Sequence, residues 1–144
     1  MIKRIYKSYL DFIDDEEFWQ LISFDLTDED EKFALKKIFE KTFRRIYPRH
    51  KFTSLFTNVP YFELKKGRII KLNLSEWCLK EIPKSINEFT HLNELDLSLN
   101  GIKELPETLG DLESLEILNL NFNPIEMVPR SVKKLKRLAV KLEK

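Results

Sequence analysis

Three consecutive segments of equal length determine the fold: IIKLNLSEWCLKEIPKSINEFTH (69–91), LNELDLSLNGIKELPETLGDLES (92–114) and LEILNLNFNPIEMVPRSVKKLKR (115–137). Each begins with an apolar residue, continues with alternating apolar positions and carries a proline in its second half. Self-similarity at a fixed period of this size is the signature of a repeat architecture. Because one such unit cannot bury its own apolar face, the units are expected to stack into a solenoid with one continuous core.

The alternating leucines within each segment predict a short strand. Residues at every second position of a strand point to the same side, so two rows of leucines are expected to stack inward from one segment to the next. These rows are Leu72, Leu95 and Leu118, followed by Leu74, Leu97 and Leu120. The later apolar positions of each segment close the other side of the core. Together with the helices predicted below for residues 1–60, these strands indicate a mixed α/β class of fold.

The shared pattern, L-x-x-L-x-L-x-x-N-x-L-x-x-L-P-x-x-L-x-x-L, resembles the leucine-rich repeats. It is most similar to their intracellular group with Leu-Pro in every 23-residue unit, which includes Ras-related and scaffold-like proteins. The resemblance implies parallel strands on a concave face and short helices or turns on a convex face. It also implies a surface that binds another protein, as in adaptors, scaffolds and signalling proteins, with no reaction.

Two asparagines and three prolines are expected to be structural. Asn100 and Asn123 follow the strands, where a buried amide can serve backbone groups that turn away from the strand. The first segment departs from this pattern, because Trp77 takes the place of the asparagine. The prolines that follow the second apolar cluster of each segment are Pro83, Pro106 and Pro129.

The outward positions of the strands have no role in the core and are therefore expected to carry the specificity. The segment 138–144 resembles a truncated fourth strand, and the 23-residue spacing turns its Val140 and Leu142 outward. The residues predicted to contact a partner are Glu94, Asp96, Leu99, Ile117, Asn119, Phe122 and Val140. Two alternatives stay open for the apolar part of this patch, a lid formed by the C-terminal residues or pairing in a weak homodimer.

Residues 1–60 are predicted to form a helical N-terminal cap on a repeat region that spans 61–144. Apolar residues at spacings of three and four predict one helix over 2–13, a second from Asp14 to Leu26 and a third from about Asp28 to Tyr47. The segment 51–60 is expected to pack against the protein. Residues 61–74, YFELKKGRIIKLNL, predict a β-hairpin with its turn at 65–68.

Composition indicates one folded domain. The chain has 144 residues, 42% hydrophobic and 34% charged, with a formal net charge of +1. A single cysteine, Cys78, excludes an intrachain disulfide framework. The first residues are charged every few positions, unlike a signal peptide or a membrane-spanning helix, so a cytoplasmic location is expected. No metal-ligand spacing, phosphate-binding loop or nucleophile motif is present, so we expect neither an enzyme nor a cofactor.

Charge patterning leaves two other functions to weigh. Residues 73–127 hold eleven acidic and three basic side chains, a net charge of −8 that favours a basic protein partner and opposes nucleic acid. The third helix instead carries a basic stripe, Lys37, Lys41, Arg44 and Arg45, which is either a solvated face or a contact for nucleic acid or an anionic surface. A self-assembling structural protein, joined through the last strand, is the other alternative.

Overall fold

The computed structural model describes residues 3–6, 26–46 and 61–143 of the chain. Over these residues it contains a six-stranded sheet whose spatial order follows the sequence order, β1-β2-β3-β4-β5-β6. The expected second helix and the expected packed segment 51–60 lie outside the described residues, except for Leu26, which is buried as expected but is not helical.

The repeats supply the parallel part of the sheet. Its strands are β3 (Arg68–Asn73), β4 (Glu94–Asp96), β5 (Ile117–Asn119) and β6 (Ala139–Lys141). Each pairs in parallel with the next. The expected leucine rows are buried at their centre, with Leu95, Leu97, Leu118 and Leu120 no more than 1% exposed. A mixed α/β fold with a parallel sheet is therefore present, as the repeated pattern predicts.

The side opposite the sheet consists of short helical turns. Two are 3₁₀ helices, Lys84–Glu88 and Glu107–Asp111, and the third is an α-helical turn, Arg130–Lys133. A proline precedes each turn, and its φ lies between −55° and −68°. Proline is suited to this place because its ring fixes φ near −65° and it lacks an N–H that the first turn of a helix cannot use. These are Pro83, Pro106 and Pro129.

An antiparallel hairpin precedes the parallel strands. β2 (Tyr61–Lys65) pairs with β3 over the stretch in which the sequence predicts a hairpin. The turn places Lys66 at φ 52° and Gly67 at φ 73°. Two positive φ angles in a two-residue loop match the right-handed twist of the strands it joins.

The first strand, β1 (Lys3–Tyr6), corrects the sequence prediction. These four residues pair antiparallel with β2, Ile5 opposite Phe62, so the helix expected over 2–13 is wrong at Lys3–Tyr6. The outer edge of β2 offers unpaired backbone groups. Ile5 and Tyr6 belong to the residue types that favour strands, so pairing with this edge outweighs the helical spacing of the longer segment.

One long helix, Glu29–Ile46, packs against the repeats close to the position at which the sequence predicts a third helix. Leu26, Ala34, Leu35 and Ile38 are at most 1% exposed and join the same core as the repeat leucines. Polar contacts reinforce this packing. Arg68 donates to Asp28, 2.6 Å, to Glu31, 3.1 Å, and to the Thr90 hydroxyl, 2.9 Å.

Glu31 lies fully buried within this polar contact. Its second carboxylate oxygen accepts the Ile69 N–H at 2.8 Å. Burial raises the pKa of Glu31, while the Ile69 N–H and the Arg68 guanidinium act to lower it, and burial is the larger effect. The Glu31 carboxylate thereby joins the helix to the hairpin, and Arg68 connects both to Thr90 at the end of the first repeat.

The register of β6 corrects a second prediction. Ile117 pairs with Ala139 and Leu118 with Val140, a spacing of 22 residues where the preceding strands are spaced by 23. Val140 therefore continues the inward row of Leu118, and the prediction that it points outward is wrong. A one-residue change in register moves every side chain to the opposite face. This register places the apolar Val140 in line with the core and turns the charged Lys141 outward.

Candidate partner-binding face

Two outward rows of side chains cross the parallel strands. The register aligns Lys71, Glu94, Ile117 and Ala139 in one row, and Asn73, Asp96, Asn119 and Lys141 in the other. All but Ala139 line a shallow open groove of about 160 Å³. The positions on β3, β4 and β5 are half-buried, so the groove is accessible without being a closed pocket.

The charges within the groove are balanced. Lys71 Nζ lies 2.8 Å from a carboxylate oxygen of Glu94. Asp96 and Lys141 contribute one charge of each sign, so these four side chains sum to zero. The net charge of −8 found over residues 73–127 therefore belongs mainly to other surfaces. Electrostatic selection of a strongly basic partner is not a property of this groove.

Side chains of the second row, Asp96 and Asn119, stabilise the turns that follow their strands, a role that the sequence analysis did not predict. Asp96 Oδ1 accepts hydrogen bonds from the Ser98 N–H, 2.9 Å, and the Ser98 hydroxyl, 2.6 Å. Its other oxygen accepts from the Asn119 side-chain amide at 3.1 Å. Asn119 in turn accepts the Asn121 N–H at 3.2 Å. Such bonds from a side chain to the backbone two residues on stabilise turns, so Asp96 and Asn119 are engaged within the protein.

Beyond the strands, three equivalent turn positions share one unusual backbone conformation. Glu76, Leu99 and Phe122 have φ angles of 60°, 56° and 57°. Bulky side chains rarely adopt positive φ. Because three successive repeats show the same angle, the repeat backbone imposes it, whatever the side chain. The turn of the first repeat differs at one further residue, Cys78, with φ 53°.

Two of these three side chains are exposed and apolar. Leu99 is 47% exposed and Phe122 is 52% exposed. The Leu99 N–H donates to the carbonyl of Asn121, the residue before Phe122, at 2.9 Å. Leu99 and Phe122 therefore lie on adjacent rungs of the same stack. We name this pair, Leu99 and Phe122, the apolar ridge. It follows the ends of the strands, three residues after the groove residues Asp96 and Asn119.

The asparagines that follow the ridge lie buried in a network with the backbone. Asn100 Oδ1 accepts the N–H groups of Trp77 and Leu79, both at 2.9 Å. Asn123 Oδ1 accepts the Ile102 N–H at 3.1 Å. The side-chain amide of each donates to backbone carbonyls of its own turn and of the preceding rung, at Leu74 and Leu97 respectively. Trp77, which takes the asparagine position in the first repeat, is itself buried, and its backbone N–H is satisfied by Asn100 of the next repeat.

Other chemistry finds little support in the described residues. They contain no group of three or more His, Cys, Asp or Glu side chains suited to a metal ion. Within the same part of the chain, no helix is both long enough and apolar enough to cross a membrane. Cys78 is exposed, and it stands alone in a repeat turn.

The repeats match a known family. Residues 91–112 and 114–135 fit the family model described as Leucine Rich Repeat. These two segments are similar to that family, and the matches support a leucine-rich-repeat protein. Together with the parallel sheet, they fit a short leucine-rich-repeat fold. Leucine-rich repeats are generally protein-interaction modules, so the matches support a protein partner. A comparison of the chain with curated proteins found no match.

The predicted contact residues occupy three different places in the structure. Glu94, Ile117 and Asn119 line the groove, and Leu99 and Phe122 form the ridge beside it, while Val140 lies in the inward row. Met127, which is 74% exposed, is a further exposed apolar side chain that the sequence prediction did not name. The sequence does mark this position as unusual, because the equivalent positions of the first two repeats hold the glutamates Glu81 and Glu104.

Proposed function

We propose that this chain is a non-enzymatic protein–protein interaction module that acts as an adaptor or scaffold. It binds a partner protein at the concave strand face, with the apolar ridge as the main anchor and with Ile117 and the Lys71–Glu94 pair farther along the same face. The observation that carries the proposal is the exposure of two large apolar side chains on adjacent rungs at positive φ.

The residue types at the ridge oppose stability. A left-handed backbone costs a residue other than glycine about 1–2 kcal/mol, and asparagine tolerates it better than leucine or phenylalanine. Exposed apolar side chains gain little from the solvent they face. Leucine and phenylalanine at these positions are thus poor choices for folding alone, and burial against a partner compensates for both disadvantages. Buried aromatic anchors are frequent hot spots of protein interfaces.

The same proposal includes the repeat type, the solenoid and the N-terminal cap that hold this face in place. The leucine-rich repeats are of the 23-residue, Leu-Pro type and form a short solenoid, and residues 1–60 cap its first repeat. The Arg68 contacts with Asp28, Glu31 and Thr90 support the cap, since they join the long helix to the hairpin and to the first repeat. The module acts in the cytoplasm, as a monomer or weak homodimer.

Binding of nucleic acid through the long helix is the weaker alternative. Lys37 Nζ lies 5.2 Å from the centroid of the Phe33 ring, a contact within the protein that needs no phosphate. The side chains of Lys41, Arg44 and Arg45 lie outside the described part. No described contact therefore favours this alternative over a solvated face.

The decisive experiment replaces the ridge with residues that suit its backbone. We expect the double variant Leu99→Asn and Phe122→Asn to fold at least as stably as the wild type, because asparagine is better tolerated at positive φ. It should lose most capture of the partner protein in quantitative pull-downs from the source cell. Phe33→Ser is the matched control, since Phe33 is 56% exposed but lies on the long helix.

A partner captured equally by the wild type and the ridge variant would contradict the proposal. The urea midpoint of the ridge variant is measured in parallel. If that midpoint falls sharply, the two side chains contribute to folding, and the assignment of the ridge as a binding anchor is wrong.

A further inference from the structure

The edge strand β6 combines features of a strand-accepting site. It lies at one end of the sheet, with β5 on one side and no described strand on the other. Val140 and Leu142 on this strand are 41% and 39% exposed. Both continue the inward, apolar rows of the repeats, so the core side of the edge is only partly covered. Leu138, just before the strand, packs against the core and fixes the position of the strand.

The backbone hydrogen-bonding groups of β6 point alternately toward β5 and away from it. The Ala139 N–H donates to the Glu116 carbonyl at 2.8 Å, and the Lys141 carbonyl accepts the Leu120 N–H at 2.8 Å. Successive residues of a strand direct their backbone groups to opposite sides. The N–H and C=O groups of Val140 and Leu142 therefore face away from β5, beside their own exposed side chains.

The last rung, to which this edge belongs, is strongly basic. Residues 130–143 hold six basic side chains and one acidic one, a net formal charge of +5. All six basic residues are exposed. They lie on the last rung, because the helical turn Arg130–Lys133 packs against the 3₁₀ helix Glu107–Asp111 of the repeat before it. The basic residues are Arg130, Lys133, Lys134, Lys136, Arg137 and Lys141.

We propose that β6 accepts an extended acidic segment of a partner protein as a seventh strand. The segment pairs its backbone with Val140 and Leu142, covers them with apolar side chains at alternate positions, and places acidic side chains beside Lys141 on the outward face. Strand addition of this kind takes its affinity from backbone hydrogen bonds and its selectivity from alternate side chains. The site is separate from the apolar ridge and does not depend on it.

A second copy of the chain as occupant, or an edge that simply avoids pairing, fits the observations less well. Two copies paired symmetrically through β6 would bring two surfaces of charge +5 together, which is repulsive. Lysines that merely protect an edge from pairing are common. Here, however, the residues whose backbone faces outward are the apolar Val140 and Leu142, where a protected edge would carry charge.

The test uses a capped, fluorescently labelled heptapeptide in which glutamate and valine alternate, titrated with the full chain by anisotropy. Three comparisons isolate the parts of the proposal. One peptide has lysine in place of glutamate, one has every backbone nitrogen methylated, and one titration uses the variant Val140→Pro. Among the backbone donors, proline removes the outward-facing N–H of residue 140 and leaves the Ala139 N–H that bonds to β5, while Val140→Thr, which retains every N–H, is the matched control.

We expect saturable binding of the glutamate–valine peptide that weakens as salt screens the charges. The methylated peptide, the lysine peptide and Val140→Pro should each bind at least about tenfold more weakly, while Val140→Thr stays within about threefold. Changing the ridge, Leu99→Asn and Phe122→Asn, should leave peptide binding unchanged, so failure of this proposal and failure of the proposed function are separable.

Several results would overturn the proposal. These are no binding of the acidic peptide, equal binding of the methylated or lysine peptide, and full binding by a folded Val140→Pro variant. If that variant is unfolded, the methylated peptide on the wild-type chain decides alone. A concentration-dependent dimer in sedimentation, abolished by Leu142→Lys, would identify a second copy as the occupant instead.

Discussion

Replacing Asn100 with alanine should be the most damaging single change in the repeat turns. Its side-chain oxygen accepts two buried N–H groups, those of Trp77 and Leu79. Its side-chain amide donates to the carbonyls of Leu74, Leu97 and Ser98, at distances of 2.8–3.1 Å. Alanine has no polar atom to offer any of these groups, and the site is too deeply buried for bulk water to serve them.

The expected magnitude follows from the number of stranded donors. A buried N–H that loses its acceptor costs about 1–3 kcal/mol, so the two that depend on Asn100 predict a loss of about 2–6 kcal/mol. Asn123 accepts a single N–H, that of Ile102, and predicts about 1–3 kcal/mol. Domains of this size are stable by about 5–15 kcal/mol, so Asn100→Ala should remove a large part of the total.

Urea unfolding followed by circular dichroism measures both variants. With a slope of about 2 kcal/mol per molar urea, the Asn100→Ala midpoint should fall by about 1–3 M, and the Asn123→Ala midpoint by roughly half as much. The control is Asn87→Ala on the first 3₁₀ helix, where Asn87 is only half-buried, with an expected change within about 0.5 kcal/mol.

Two outcomes would refute the reasoning. Equal midpoints for Asn100→Ala and Asn87→Ala would show that the turn amide is dispensable. A larger loss for Asn123→Ala than for Asn100→Ala would show that the number of stranded donors does not set the cost.

Three further changes test the N-terminal side. Gly67→Ala should cost about 1–3 kcal/mol in urea unfolding, because φ is +73° and the new Cβ would collide with Thr27 Oγ1; Gly101→Ala, whose nearest contact is 3.4 Å, should cost less. Folding raises the pKa of Glu31 above its ordinary 4.5, so the folded state binds the proton more tightly. The wild type should therefore lose stability relative to Glu31→Gln as pH rises through 4.5 to the raised pKa, and parallel pH profiles would contradict this. A fragment lacking residues 1–60 should expose apolar core and aggregate in sedimentation, whereas a monomer with unchanged cooperativity would remove the cap from the proposal.

The 23-residue repeat period was sufficient to predict most of the fold. Strand positions, inward leucine rows and the buried Asn100 and Asn123 all follow from local spacing, because each unit repeats one backbone path. The exposed Leu99 and Phe122 were also identifiable, since they are apolar where the pattern requires nothing apolar. These features depend on contacts between identical positions of neighbouring units, and such contacts are visible in an aligned sequence.

Contacts outside the repeat could not be obtained in this way. Lys3–Tyr6 form a strand because the edge of β2 is available to them, a partner far away in sequence that their own helical spacing does not reveal. The burial of Glu31 depends on Arg68 and the Ile69 N–H, which the sequence places 37 and 38 residues away. The balance of charge in the groove likewise depends on the strand register that places Lys71 beside Glu94, which the sequence does not reveal.

The register of β6 shows the division most clearly. Sequence alone determined that the stretch 138–144 would form a fourth rung on the stack, because its apolar alternation matches the rungs before it. Only the tertiary structure decided which side chains face inward, since a spacing of 22 in place of 23 residues reverses the faces. The physical reason is that local alternation fixes which side chains share a face, whereas the inward direction is set by the pairing of β6 with β5, which aligns Val140 with Leu118.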